Sequence, residues 1–115
     1  MEAISREDRP WGYYEVLMQG PNMQVKRLVV NDMQRLSLQT HEHRDEYWFI
    51  TAGEGMVQVD DWVHQIKAGS QVTIMRGEKH RVQALGGKPL EIIEVQHGDP
   101  IDENDIVRHS DDYGR

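Results

Sequence analysis

From residue 13 to residue 96 the chain is a succession of short segments rich in β-branched and aromatic residues, cut apart by turn chemistry. The segments are YYEVLM (13–18), MQVKRLVV (23–30), RLSLQTH (35–41), EYWFITA (46–52), MVQVD (56–60), QVTIM (71–75), HRVQAL (80–85) and LEIIEVQ (90–96). Between them stand QGPN, NDMQ, AGEG, KAGS, MRGEK and LGGKP, whose Gly, Pro, Asn and Asp residues set the backbone angles of turns. Strands recurring this often, with no helical period between them, predict an all-β sandwich or barrel. At 115 residues the chain suffices for one domain, residues 1–115, around one modest core. The acidic tail DPIDENDIVRHSDDYGR reads differently. Asp102 is placed to cap a short helical turn over Glu103–Val107, and the segment is expected to cover a barrel mouth or a subunit contact.

Composition removes several function classes. The formal net charge is -7 and no run of Lys or Arg occurs, so a nucleic-acid surface is not expected. There are no cysteines, which excludes disulfides, thiolate catalysis and Cys-based zinc sites. A metal would have to be held by His, Asp, Glu or Gln. MEAISREDRPWG carries no apolar core segment and no apolar run approaches a membrane span, so neither a signal peptide nor a membrane partner is expected, and a cytoplasmic location is the default.

The stretch RLSLQTHEHRDEYW (35–48) concentrates metal-ligand side chains. Strand side chains alternate between faces, so Arg35, Ser37, Gln39, His41 and His43 would share one face and Leu36, Leu38, Thr40 and Glu42 the other. An isolated alternating strand would more often turn such a polar face to water. The spacing argues otherwise. Gln39-x-His41, then Glu46, then Gly53 has the intervals of the first cupin motif, with Met33 where that motif usually opens on Gly and Gln39 in the first His position. Gly69-x5-Met75-x-Gly77-x2-His80 resembles the second motif, which brings the last ligand from a distant strand, with Met75 in place of Pro and Ala84 in place of Asn. A small double-sheet jelly roll, a cupin-type double-stranded β-helix, fits both length and spacing. Two ligand sets remain open. One is Gln39, His41, Glu46 and His80; the other replaces Gln39 by His43, whose imidazole is the stronger donor. Either suits a divalent Zn, Mn, Fe, Co or Ni ion. His64, His97 and His109 read as structural or solvated.

The resemblance extends further. RPWGYYEVL (9–17), VKRLVV (25–30), RLSLQTHEHRDEYW (35–48), KHR (79–81), PLEIIEVQHG (89–98) and the terminal DIVR and DDYGR resemble the cupin domain of type II mannose-6-phosphate isomerases, the domain often fused behind a mannose-1-phosphate guanylyltransferase. That family usually has Pro-Gly at Asp32-Met33, and His at Glu42 and Tyr47. The resemblance implies a metal-dependent interconversion of mannose 6-phosphate and fructose 6-phosphate in polysaccharide precursor synthesis. It also implies a homodimer, since small cupins pair or exchange edge strands. The nucleotidyltransferase domain, with its Gly-rich phosphate loop, is not in the sequence.

Aldose–ketose isomerisation needs a Lewis acid at the two sugar oxygens, a base to carry a proton between neighbouring carbons, and cations for the phosphate. Glu94 is the candidate base, because it shares a face with Leu90, Ile92 and Gln96. Arg35, on the ligand face, is the leading phosphate cation, with Lys26, Arg27, Arg44 and Arg81 as further candidates and Gln96 as a substrate contact. Arg108 and Arg115 are expected to tie down the C-terminus, Trp11 and Trp48 to fill the core or an interface, and Trp62 to sit at a hairpin. Two other functions stay open: a non-catalytic cupin that binds a sugar phosphate or nucleotide sugar, perhaps beside a separate guanylyltransferase, and an iron-dependent oxygenase.

Overall fold

The computed structural model describes residues 2–115. Eleven strands account for its regular structure: β1 (Ser5–Arg9), β2 (Gly12–Gly20), β3 (Met23–Val30), β4 (Leu38–Thr40), β5 (Arg44–Ala52), β6 (Glu54–Val59), β7 (Trp62–Lys67), β8 (Gln71–Ile74), β9 (His80–Leu85), β10 (Leu90–Gly98) and β11 (Val107–Ser110). They form two antiparallel sheets, one of order β1-β2-β3-β10-β5-β8 and the other of order β11-β4-β9-β6-β7. No helix among the described residues is long and apolar enough to cross a membrane.

The eight segments anticipated from turn spacing are all strands, most of them within a residue or two of the expected ends. Three strands were not anticipated. β1 (SREDR), β7 (WVHQIK) and β11 (VRHS) are edge or near-edge strands with mostly exposed side chains, so no apolar alternation marks them. Trp62 does sit at a hairpin, just past the β6–β7 turn, and is 70% exposed. The tail forms no helix. Asp102 Oδ1 accepts from the Asn104 amide at 2.9 Å and the Asp105 amide donates to the Asp102 carbonyl at 3.0 Å, which makes a tight turn. The chain then extends into β11, which pairs with β4. An Asp-initiated turn offers the backbone an alternative to a helix, and here pairing with β4 decides between them.

Register on the inner face of the larger sheet sorts its side chains lengthwise. Leu28, Ile92 and Ile50 lie side by side in one row; Lys26, Glu94 and Trp48 make the next; Gln24, Gln96 and Glu46 make the third. The apolar rows face Val57, Ile66, Val82 and Ala84 of the other sheet, and Trp11, Tyr14 and Val16 complete the core. Each such Leu or Ile contributes roughly 1.5–3 kcal/mol of transfer free energy, an upper bound against an extended unfolded chain. The same strands therefore carry the core at one end and a band of polar groups at the other.

Between Arg35 and Gln39 the period-two alternation fails. Arg35 bridges Gln83 while Gln39 pairs with His80, so this strand carries one more residue than β9 over the same interval. The extra residue is a bulge, and it reverses the face of everything before it. Ser37 and Gln39 turn inward and are buried, while Arg35 turns outward to a bidentate pair with Asp112 (Nε 2.6 Å, Nη2 2.8 Å).

Two turn positions show how the strands are joined. Gly53, the last glycine of the first motif, has φ +83°, and a Cβ there would collide with the Pro89 carbonyl. Met33, standing where that motif usually opens on Gly, has φ +67° and is 59% exposed. Its side chain gains little from burial and bears the left-handed backbone penalty of about 1–2 kcal/mol, part of which Gly's larger entropy loss would offset. Met33→Gly is expected to stabilise the fold by up to about 1 kcal/mol. A lower unfolding midpoint for this variant in a urea titration would contradict the reading.

Candidate metal centre

Three ligand side chains from three strand contexts meet in the polar band. His41 follows β4, Glu46 lies in β5 and His80 opens β9. All three are buried, and their donor atoms lie within 4.8 Å of one another. His41 Nε2 is 3.2 Å from Glu46 Oε2, and His80 Nε2 is 3.8 Å from Glu46 Oε1. The two rings stand 5.0 Å apart, centroid to centroid.

The other ring nitrogens fix the tautomers. His41 Nδ1 lies 2.6 Å from the Asp105 carbonyl and His80 Nδ1 lies 3.0 Å from the Glu78 carbonyl. A carbonyl only accepts, so each Nδ1 carries a hydrogen, and in the neutral ring it is Nε2 that presents a lone pair toward Glu46. Burial, despite the nearby Glu46 carboxylate, depresses His41 to about 4, which favours the neutral ring that a cation can bind. Burial alone would raise Glu46, but His80, Arg44 and His41 outweigh it and hold it as a carboxylate. Two imidazoles whose Nε2 atoms converge on a buried carboxylate are a donor set that fits a divalent transition metal.

Arg44 and Trp48 engage the same group. Arg44 Nε donates to Glu46 Oε2 at 2.9 Å, Arg44 Nη2 donates to His41 Nε2 at 3.2 Å, and Trp48 Nε1 donates to Glu46 Oε1 at 3.1 Å. A divalent cation here would take over lone pairs that the guanidinium now shares. Arg44 is therefore a buried partner of the ligands.

The expected site residues divide clearly. Gln39 is buried, pairs with His80 across β4–β9 and lines the same cavity. Its amide nitrogen lies 3.3 Å from both Ser37 O and Ser37 Oγ, which leaves Oε1 for another donor or a cation. His43, weighed as the alternative ligand, is corrected: β4 ends at Thr40, the chain bends through 42–43, and the imidazole is half exposed, 4.0 Å from Glu42. Arg35 is corrected by the bulge, which commits it to Asp112 outside the cavity. Arg27 also faces outward, between Glu15 (2.6 Å) and Glu91 (3.1 Å).

Lys26, Arg44, Arg81 and Glu94 line the cavity, whose volume is about 110 Å³. Arg81 is tethered through Nε to the Leu36 carbonyl at 3.1 Å. Gln96, expected to touch substrate, does not line the cavity. It is fully buried, takes a hydrogen bond from Gln24 at 3.2 Å and donates to Glu94 Oε2 at 2.8 Å, so it holds Glu94 in place. Glu94 is pushed upward by burial and by the adjacent Glu46 carboxylate, against the opposing pull of Lys26.

Four tail residues were missed as cavity groups: Glu103, Ile106, Arg108 and Arg115. Arg115 does tie down the C-terminus through Asp111 at 3.0 Å, as expected, but it also borders the cavity. The pairing of β11 with β4, together with the contacts of Glu103 and Asp105, brings this segment to the cavity, and no spacing rule announces that.

His80→Ala is expected to abolish metal retention after dialysis while leaving the far-ultraviolet circular dichroism unchanged. Stoichiometric metal retained by that variant would remove His80 from the ligand set. Gln39→Ala should weaken metal binding and His43→Ala should leave it unaltered; the reverse order in a chelator competition would restore His43.

Relatives align with this chain over most of its length. The xanthan biosynthesis protein XanB of Xanthomonas campestris pv. campestris (strain B100) is 43% identical over 107 residues, which are 93% of this chain and 23% of that protein. The mannose-1-phosphate guanylyltransferase of Escherichia coli (strain K12) is 38% identical over 107 residues, 93% of this chain and 22% of that protein. The chain thus spans less than a quarter of these relatives. Among solved structures, a cupin-2 domain protein of Rhodospirillum rubrum superposes with a TM-score of 0.69 at 21% identity, covering 81% of this chain and 67% of that one, and it shares the fold. The family profile described as mannose-6-phosphate isomerase C-terminal matches residues 2–111, and on that match across nearly its whole length the chain belongs to this family of cupin domains.

Proposed function

We propose that this domain interconverts mannose 6-phosphate and fructose 6-phosphate with a divalent metal held by His41, Glu46, His80 and Gln39. The observation that carries the reading is the convergence of buried His41, Glu46 and His80 at a cavity that Glu46, His80, Gln39, Glu94 and the buried Lys26 line together. The bound metal would supply Lewis-acid polarisation of the sugar oxygens.

The chain's own residues account for the remaining steps. Glu94 shares its inner-face row with Lys26 and Trp48 and is fixed by Gln96. A carboxyl raised toward neutrality can both take a proton from the carbon beside a carbonyl and return it to the neighbour. Trp11, Tyr14, Leu28 and Trp48 give the cavity apolar walls that limit water at the proton-transfer step. Arg44 neutralises the carboxylates of the site from within the same strand as Glu46. XanB is a xanthan biosynthesis protein, which agrees with a role in supplying sugar for a polysaccharide.

A coupled assay of the purified chain with mannose 6-phosphate, run separately with Zn, Mn, Fe, Co and Ni, tests this reading. Turnover is expected with at least one metal. Glu94→Gln should lower kcat by about 10²–10⁴-fold with metal content unchanged. Saturable sugar-phosphate binding without turnover under every metal would instead make the domain a binding module.

A further inference from the structure

Lys26 sits deep in the polar band, its side chain only 6% exposed, with Nζ 4.0 Å from the centroid of the Tyr14 ring. Its counter-ion does not come from the barrel wall. Glu103, on the tail turn between β10 and β11, places Oε1 2.6 Å from Lys26 Nζ. Gln24 Nε2 donates to the same oxygen at 3.2 Å, and Gln24 is held in that orientation because its own Oε1 accepts from Gln19 Nε2 at 2.8 Å. The other inner-face cation of this sheet behaves differently: Arg44 pairs with Glu46 of its own strand.

The two halves of the Lys26–Glu103 pair are unequal. The donors are built into β3, whereas the Glu103 side chain is 49% exposed and rides on a segment with no strand pairing of its own. With that turn in place the cavity measures about 110 Å³. Ordinary small-molecule pockets begin at roughly 300 Å³. A phosphorylated hexose therefore needs the cavity enlarged, and Glu103 is a lining residue held there by its pair with Lys26.

We propose that Lys26 and Gln24 form the subsite for the phosphate of the substrate, and that Glu103 is a tethered competitor that fills this subsite until a phosphate monoester displaces it. The naming of a sugar phosphate rests on the isomerase reading above; the anion subsite itself rests on the geometry. A dianionic phosphate outbids one carboxylate for an ammonium and an amide donor, since lysine binds phosphate as a point charge. Each phosphate bound would displace the Glu103 side chain while Asp105 keeps its contacts with Glu42 and His43, so anion entry and the freeing of cavity space are one exchange.

The test is calorimetric titration of inorganic phosphate into the full chain after chelator treatment, so that no metal phosphate forms. Glu103→Gln removes the competing charge and should tighten phosphate binding by about tenfold. Lys26→Met should weaken it roughly ten- to a hundredfold, and Glu103→Gln should bring no gain in that background. Lys26→Gln, which keeps a polar group on the inner face, serves if Lys26→Met melts below the assay temperature. Unchanged or weaker binding by Glu103→Gln, wild-type binding by the Lys26 variants, or no phosphate binding by any form overturns the proposal. The phosphate pattern without turnover of mannose 6-phosphate would sink only the isomerase reading. Turnover without the pattern would sink only the subsite.

Discussion

The structure depends on buried charges that neutralise one another across the inner face of one sheet. Glu46 and Glu94 lie in adjacent inner-face rows, both almost fully buried. Two carboxylates so placed cannot both be ionised cheaply, and the field of the cluster decides which keeps its proton. Arg44 and the imidazoles His41 and His80 surround Glu46, whereas Glu94 has Lys26 at a greater remove and the Glu46 charge close by. One becomes the anionic partner of the ligand cluster and the other a proton-carrying group. The difference comes from neighbours, since the two side chains are chemically the same.

That polarity is possible only because the hydrophobic burden is carried elsewhere on the same strands. β3 and β10 alternate inward and outward, and β5 does so over Glu46–Ile50, yet their inward residues change from Leu28, Ile92 and Ile50 to Gln24, Gln96 and Glu46 within a few steps. The apolar half supplies the burial that holds the sheets together. The polar half then needs near-complete hydrogen bonding, because an unmatched buried group would cost about 1–3 kcal/mol. It has that bonding: the chain Gln19–Gln24–Gln96–Glu94 links side chains from β2, β3 and β10, and Trp48 and Arg44 engage the two oxygens of Glu46.

Much of this was legible in the sequence, and what was not has physical causes. The turn residues between apolar segments gave the strand count of the core, and the intervals around His41, Glu46, Gly53 and His80 pointed to side chains that the jelly roll does bring together at one end. The inward face of Glu94 followed from its period-two relation to Leu90 and Ile92. Arg35 and His43 were misplaced for one reason. Strict alternation was carried through residues 35–43, whereas β4 has only three residues, with a bulge before it and a bend after it. A bulge adds a residue without altering composition, so the sequence does not mark it. The tail was misread because Asp102 starts a turn as readily as a helix, and the partner that settles the matter, β4, lies more than sixty residues away in the chain.

The tail then explains why the misplaced arginine still has a use. Arg35 grips Asp112, Tyr113 donates to Gln34 at 2.8 Å, and Asp105 accepts from the amides of Glu42 and His43 at 2.9 and 3.0 Å. These contacts all fall on the segment that precedes or follows the short strand β4, which has the least sheet pairing of any ligand-bearing element. Through the Asp105 carbonyl on His41 Nδ1, the same tail sets the tautomer of one ligand. A second partner of this sort both orients a ring and raises its basicity. The weakly paired strand and the C-terminal tail are thus complementary: on both flanks of β4 the tail supplies the hydrogen bonds that three residues of sheet pairing do not.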